Sequence, residues 1–504
     1  MSEAAATPEK KSFLRSFPAT FWVANVMELF ERAAYYGLNA LLARYLTDKV
    51  GGGLGFREDD VGLLQGMVYA ATYLFPILGG ALADRYGYRR MLLVAFSFLS
   101  AGYFLSGQVT GYWIIFAMLL VMATGSGLFK PIIAGTLART TTQETSGFGF
   151  GVYYWMINLG ALLAPLAAGY LRGFSWRYVF IASSLYCALM LLPTVFFYRD
   201  PPRPASTQTI RQVLAGAAVV LSDARFILLI FVYSCFWILY FQNFGSVLWY
   251  LRDFIDPRPV NDLFARAGID LKFDAEHVTV INAATIVLLQ IIVSRVVKNL
   301  RALPTMIGGI LIGSAGFLLL ASSQNVWMFV AGIAVFSIGE MTCHPKYYSY
   351  IGILAPQDRK AVYMGYAFLY GVIGSLVGST VGGEMYNAIL SPLRGRQDAG
   401  GALRNFWLVF GILGVTTALV LYLYHRFFGV DSPRTRARAL VIVGVVYGLL
   451  VLGAAGILYF VYSRQGQIPI KTAIQAGIMF TVGVGGLLTL RLTRGDSGES
   501  PRRL

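Results

Sequence analysis

The sequence predicts an all-α integral membrane protein with fourteen transmembrane helices. Three observations carry that expectation. Hydrophobic residues make up 57% of the 504 positions and charged residues only 13%, about half of what a soluble globular domain carries. The apolar residues come in long runs: Val61–Ala83 and Phe226–Leu251 contain no charge and exceed the ~18–20 residues that cross a bilayer. The basic residues fall in short stretches between those runs. A soluble enzyme, a disulfide-stapled secreted domain and a disordered chain are excluded.

The runs define spans at about residues 18–48, 60–83, 90–107, 111–136, 147–170, 177–198, 225–250, 277–297, 303–322, 326–354, 361–390, 405–427, 438–462 and 470–492. The 41 Lys+Arg against 25 Asp+Glu give a net charge of +16. That excess reads as membrane topology and not as nucleic-acid binding. Asp84–Arg90, Arg199–Arg211, Lys298–Arg301, Arg359–Lys360 and Arg434–Arg438 are short basic connections, as the positive-inside rule requires of cytoplasmic loops. The loop Arg252–His277 holds four basic and six acidic residues and reads as the outer face. An even number of spans then places both termini in the cytoplasm. Met1–Phe17 is polar and basic, so no cleavable leader is expected. Cys187, Cys235 and Cys343 lie inside apolar runs and read as packing residues, without a metal or disulfide framework.

The segment Arg199–Asp223, with Pro201, Pro202 and Pro204, separates six spans from the rest. The expected organisation is a cytoplasmic N-terminus (1–17), a six-helix bundle (18–198), a cytoplasmic linker (199–224), a second six-helix bundle (225–428), a basic linker (429–437), an extra hairpin of two spans (438–492) and a cytoplasmic tail (493–504). The hairpin carries no acid and no buried basic cluster. It reads as a peripheral pair packed on the bundle or a contact for another protein.

Ionisable residues within spans are costly and mark function by default. Span 1 carries Glu28, Glu31, Arg32, Tyr35, Tyr36 and Asn39, which share one face at helical spacing. Two acids beside one arginine leave a charge to balance. Span 4 offers Lys130 in Gly125-Ser-Gly-Leu-Phe-Lys130-Pro131. Lys130 either snorkels to the interface or pairs with Glu28 or Glu31, and its depth favours the pair. An acid that exchanges a lysine partner for a proton is a titratable gate. Span 10 carries Glu340 and His344 four residues apart, on one helix face, just before Pro345. Glu340 reads as lining a cavity. His344 reads either as a hydrogen-bonded packing residue or as a proton site.

The loop after span 2 runs Gly80-Ala-Leu-Ala-Asp84-Arg85-Tyr-Gly87-Tyr-Arg89-Arg90. It resembles the Gly-x-x-x-Asp-Arg-x-Gly-Arg-Arg/Lys motif of major facilitator transporters. Gly80 is expected to let two helices touch, and Asp84 to pair with a basic residue or a helix N-terminus, which would hold one conformation of a rocking transporter. Two six-helix halves joined by a cytoplasmic linker is the architecture of that superfamily, with the substrate site at the midplane between the halves.

Within the superfamily the chain resembles the proton-dependent oligopeptide transporters. Glu28-x-x-Glu31-Arg32 followed by Tyr35-Tyr36-Gly37, the trio Phe129-Lys130-Pro131, the stretch Tyr153–Gly160 and the stretch from Gly339-Glu340 through Pro345 to Ala355-Pro356 match four of that family's signatures in order, over about residues 18–427. The resemblance implies proton coupling at Glu28, Glu31, Arg32 and Lys130. It implies a peptide site lined by Tyr35, Tyr36, Asn39, Tyr73, Asn158, Trp237, Asn282 and Glu340. Glu340 would meet the amino terminus, and Asn158 and Asn282 the backbone amides. The partners are then a peptide-like small molecule, protons and the bilayer. Neither a metal nor another cofactor is implied, since the proton gradient supplies the energy. A monomer in the inner (plasma) membrane is expected.

Three departures matter. Asn39 stands where peptide-transporting members have an arginine that clamps the peptide carboxylate bidentately. Span 7 has Phe241 in a stretch where an acid is common, and span 11 has Ala367 where a tryptophan is usual. They shift the expectation toward a modified peptide or another amine- or amide-bearing solute. The competing readings are a proton-coupled exporter of drugs or other solutes, and a membrane sensor or assembly subunit that moves nothing. An integral-membrane enzyme is not expected, because HExxH, GxSxG and ATP-binding loops are missing.

Overall fold

A computed structural model describes residues 17–142, 145–201, 210–356 and 359–495. The expected N-terminus, most of the proline-rich part of the linker and the last residues of the tail lie outside the described residues.

All fourteen spans are helices. In order they are Ala19–Thr47, Glu58–Tyr86, Tyr88–Ser106, Tyr112–Thr140, Ser146–Arg172, Trp176–Leu189 continued by Leu191–Phe196, Ala224–Gln242 continued by Ser246–Phe254, Glu276–Val297, Ala302–Ser322, Val326–Leu354, Lys360–Tyr366 continued by Leu369–Met385, Gly400–Phe428, Pro433–Gln465 and Ile470–Gly495. Twelve are long and apolar enough to cross a membrane by length and composition alone. Spans 1 and 3 fall short of that measure. Span 1 carries the Glu28, Glu31 and Arg32 cluster, and span 3 opens on Arg89 and Arg90. Among the described residues, two further α-helices lie outside the spans: Ile210–Ser222 in the linker and Arg258–Arg266 in the acidic loop. Sequence patterning marked neither.

Local signals explain several helix ends. Asp223 accepts hydrogen bonds from the backbone of Arg225 and Phe226 and starts span 7. Asn325 does the same for span 10 through Trp327. Span 13 opens on a reciprocal Ser432–Thr435 capping box with Pro433 behind it, which satisfies donors the first turn would leave bare. Span 7 breaks at Asn243–Gly245 and span 11 at Ala367–Phe368. Both breaks lie inside apolar runs, where hydropathy gives no warning.

The chain divides into two compact units. The first holds Met1–Leu38 with Leu78–Gln208; the second holds Asn39–Ile77 with Thr209–Leu504. The division therefore cuts spans 1 and 2 in mid-helix. The segment between the cuts packs with the later spans.

In the second unit, spans 9 and 10 pack backbone to backbone. A Cβ at Gly339 would fall 2.3 Å from the Gly313 nitrogen, so only glycine permits this approach. Close packing through small residues substitutes for the hydrophobic drive that lipid removes. The C-terminal hairpin belongs to the same unit. Its first helix packs along span 7 and its second along the linker helix. The second helix also reaches span 2, where Lys471 pairs with Asp59 (3.8 Å) and with Asp60, and span 11, where Gln475 donates to Glu384 (2.7 Å). The hairpin is thus tied to the bundle at several points.

Candidate functional site

The first unit contains a buried charge cluster on one face of span 1. Glu28, Glu31 and Arg32 are 2%, 0% and 7% exposed. Helical spacing puts the Arg32 Nε 3.3 Å from Glu28, and the same guanidinium donates to Glu31 at 2.6 Å. Span 4 adds two groups from one helical turn. The Ser126 hydroxyl donates to Glu31 at 3.3 Å, and Lys130 extends over the Tyr35 ring, 5.8 Å from its centroid. Arg32 also faces that ring at 5.1 Å. Lys130 acts electrostatically on both acids, and Tyr153 of span 5 lies against Glu28. Lys130 thus lies within electrostatic reach of both acids. The cluster balances two acids with two bases, which is how charge survives in a low dielectric. One Glu28 oxygen, Oε2, is buried without a hydrogen-bond partner.

Tyr36 stacks edge-on against Tyr35. The Asn158 amide donates to the Tyr154 carbonyl one turn back (2.8 Å). Span 5 reaches span 1 through Gly160, where a Cβ would sit 3.0 Å from Arg32 Cβ.

The motif loop is also in the first unit. Asp84 accepts from Arg139 at the end of span 4 (2.8 Å) and from Tyr88 (3.1 Å), and Arg139 stacks over the Tyr88 ring at 4.6 Å. Arg89 donates to the carbonyls of Thr194 (3.1 Å) and Val195, and its backbone to Asp200 (2.6 Å). Gly87 has φ +96°, a conformation that L side chains rarely adopt, which explains the motif glycine. Arg85 and Arg90 are exposed. One expectation is corrected: the helix contact belongs to Gly79, not Gly80. A Cβ at Gly79 would lie 2.4 Å from the Gly127 carbonyl, whereas one at Gly80 would meet only Pro131 at an ordinary 3.6 Å.

The second unit gathers the remaining candidates. The Asn282 amide donates to Glu340 (3.0 Å) and to Ser337 (2.8 Å). One turn along span 10, the His344 Nδ1 bonds the Tyr233 hydroxyl at 3.0 Å. The His344 ring lies among Trp237, Tyr348 and Tyr370, with centroids 5.0–5.7 Å away. Trp237 touches Tyr370 (4.6 Å), Tyr240 (4.4 Å) and Tyr73 (6.4 Å). Ala367 leaves its carbonyl to the Tyr347 hydroxyl (2.7 Å) at the break in span 11. Asn39 is 1% exposed, and its Oδ1 accepts from Tyr69 (3.2 Å). In this conformation it is a packed residue and not a cavity-lining one.

Sequence reasoning missed an ion network at the end of span 7. Arg252 bonds Asp253 (2.6 Å), Glu58 (3.2 Å) and Thr47 (2.7 Å). Arg394 reaches Asp253 (2.9 Å) and Glu58, and Tyr386 donates to Asp253 (2.8 Å). Nearby Arg44 pairs with Asp48 (3.2 Å) and Asp274. The charges were visible at the ends of spans, but their partners lie up to 336 residues apart.

Residues 21–258 match the family model of the Major Facilitator Superfamily. The chain is 31% identical over 168 residues to the uncharacterized transporter YclF of Bacillus subtilis, covering 32% of this chain and 34% of that one. It is 26% identical to the multidrug resistance protein MdtH of Aeromonas hydrophila over 74% of this chain and 88% of that one. Against the dipeptide and tripeptide permease B of Aliivibrio fischeri it is 31% identical over 38% of each chain. The chain thus spans about a third of the length of YclF and of the permease. A solved POT family transporter, in complex with 5-aminolevulinic acid, superposes with TM-score 0.66 at 19% identity, over 82% of this chain and 99% of the other. The chain has the major facilitator fold, with two further helices at its C-terminal end, and it is similar in fold to a POT family transporter.

Proposed function

We propose that this protein is a proton-coupled secondary active transporter of small peptides or peptide-like solutes, working by alternating access. The observation that supports it most is the buried Glu28–Glu31–Arg32 cluster with Lys130 beside it, on a major facilitator fold. A proton arriving at Glu28 would neutralise one acid and free a base. That change in charge balance favours one of two conformations over the other, and a ligand shifts such an equilibrium only by its differential affinity. Glu340, positioned by Asn282, would hold a substrate ammonium group. Among the four ionisable residues, protons are the only co-substrate the chemistry needs. We place the protein in the cytoplasmic membrane with the basic loops inward, acting as a monomer.

The likeness to MdtH over 88% of that chain favours a second reading, proton-driven export. Purified protein in proteoliposomes separates the two. Under symport, an inside-alkaline gradient drives accumulation of labelled dialanine. Under antiport, an inside-acidic gradient drives it. Absence of accumulation of both dialanine and dialanine amide under both gradients, in vesicles holding folded protein, sinks the peptide reading in either direction.

A further inference from the structure

Within the second unit, spans 2 and 11 touch backbone to backbone at the ends opposite the basic loops. A Cβ at Gly62 would fall 2.3 Å from the Ser379 carbonyl, and one at Gly383 would fall 2.4 Å from the Glu58 carbonyl. The two helices are therefore shut against each other over one turn of each. Glu58, at this seam, also carries the ion network with Arg252 (3.2 Å) and Arg394.

The acids next to the seam in sequence meet a different partner. Asp59 and Asp60 follow Glu58, and Glu384 follows Gly383. All three are held by the second helix of the C-terminal hairpin. Lys471 pairs with Asp59 (3.8 Å) and with Asp60, and Gln475 donates to Glu384 at 2.7 Å. Asp59 is shared with Arg57 (3.0 Å). Lys471 and Gln475 are four residues apart and so share a helix face. One face of span 14 thus grips both sides of one seam.

Anchoring the hairpin does not need this grip. Its first helix already packs along span 7, where Tyr447 meets the Phe231 ring at 5.7 Å, and its second packs along the linker helix. The two hairpin helices lock together where a Cβ at Gly483 would lie 2.8 Å from the Tyr447 carbonyl. None of these contacts involves span 2.

By chain order span 2 belongs to the first six spans and span 11 to the second six. Alternating access rocks one set against the other around a central site. The seam must then part each time the site opens on that side. A grip on both of its edges cannot follow both, so opening loses one of them. The Lys471 side chain is 36% exposed and the two aspartates 20% and 19%. Partly solvated pairs are modest in strength, which suits a bias and not a lock.

We propose that the C-terminal hairpin is a strap across the seam of spans 2 and 11 that holds the outer face closed. This rests on the alternating-access reading above. The strap sets the fraction of molecules open to the outside. Apparent affinity for an external solute falls in proportion to that fraction.

The test uses the full chain in lipid nanodiscs, with Cys187, Cys235 and Cys343 replaced by alanine. Spin labels at Val50→Cys and Asp398→Cys, both exposed and in the connections that border spans 2 and 11, report the separation of the two edges. Lys471→Gln should raise the ratio of long to short distances at least about threefold, the scale of a partly solvated ion pair. Gln475→Leu should raise it in the same direction by less. Exchanging the charges, Lys471→Asp with Asp60→Lys, should bring the ratio back toward the parent's. Unchanged ratios in both single variants overturn the strap, and two distances in the parent or in Arg394→Ala then leave alternating access standing. A rise that the exchanged pair fails to reverse overturns the role of the ion pair. Where Lys471→Gln does not fold, Gln475→Leu, which keeps every charge, decides alone. A single distance in the parent and in every variant, in acid and neutral buffer alike, removes the alternating-access reading and the inference with it.

Discussion

The two units solve the problem of polarity inside a membrane in opposite ways. The first concentrates charge: two acids and two bases within a few turns of spans 1 and 4, matched in number. The middle of span 10 in the second unit does the reverse: one acid, Glu340, is held by an amide, with a histidine one turn on and aromatic rings around that histidine. Matched charges survive burial because each stabilises the other. That same matching makes the first cluster responsive, since adding one proton unbalances it. Glu340 is held by the Asn282 amide and not by an ion pair. It is suited to holding something that brings its own charge. On the proposed function, the difference assigns coupling and recognition to separate residues.

Four measurements would break or sharpen this contrast. The largest effect is expected at Lys130. Lys130→Ala removes one base from the balanced cluster, and gradient-driven uptake should fall by at least about 100-fold while substrate exchange without a gradient persists. Loss of both together would make Lys130 a binding residue and dissolve the contrast. Next is Glu340→Gln, which keeps the hydrogen-bonding shape and removes the charge. Affinity for amine substrates should fall about 10- to 100-fold, which is about 1.4–2.7 kcal/mol; unchanged competition curves would dismiss it from the site.

A smaller effect is expected at His344. His344→Gln can keep the bond to Tyr233 while losing the capacity to gain charge. Driven uptake should stay within about threefold of the parent between pH 5.5 and 7.5. A flattened pH profile would make the second unit a proton carrier as well. The smallest effect is expected where ion pairs face water. Asp431, in the joint between spans 12 and 13, accepts from Arg436 (2.6 Å) and pairs with Arg225 (2.8 Å). The Arg436 hydrogen bond above all, and then the Arg225 charge, hold its carboxyl below the ordinary value. A depressed carboxyl contributes stability above its unfolded pKa, about 3.9, and that contribution is lost as pH falls through the lower folded value. Asp431→Asn should therefore lower thermal stability slightly at pH 7, by under about 1 kcal/mol given solvent screening, and match the parent once pH falls below the depressed folded value. A large loss at neutral pH would show that exposed pairs carry this fold too.

Much of the candidate site was legible because helical spacing alone places residues three and four apart on one face. Glu28, Glu31, Arg32 and Tyr35 fall together for that reason, as do Glu340 and His344. Charge balance pointed from the acids to Lys130, which lies within electrostatic reach of them. The Asp84 loop was legible as a motif, but its partner Arg139 was not, since nothing local links the two. The sequence could not show that Gly79 and not Gly80 makes the contact, because that depends on the rotation of span 2 about its axis.

By itself the sequence determined the fourteen spans, their order, the buried charges and the family resemblance. Each of these is set by hydropathy over about twenty residues or by spacing within one helix, and both are local properties. Only the tertiary structure decided the rest. It buried Asn39 against Tyr69, turned Asn158 into its own helix and broke spans 7 and 11. It joined Glu58 to Arg252 and Arg394, and assigned residues 39–77 to the unit of the later spans. Those outcomes rest on contacts between residues far apart in the chain, where a side chain's partner is chosen by how whole helices pack and not by its neighbours in sequence.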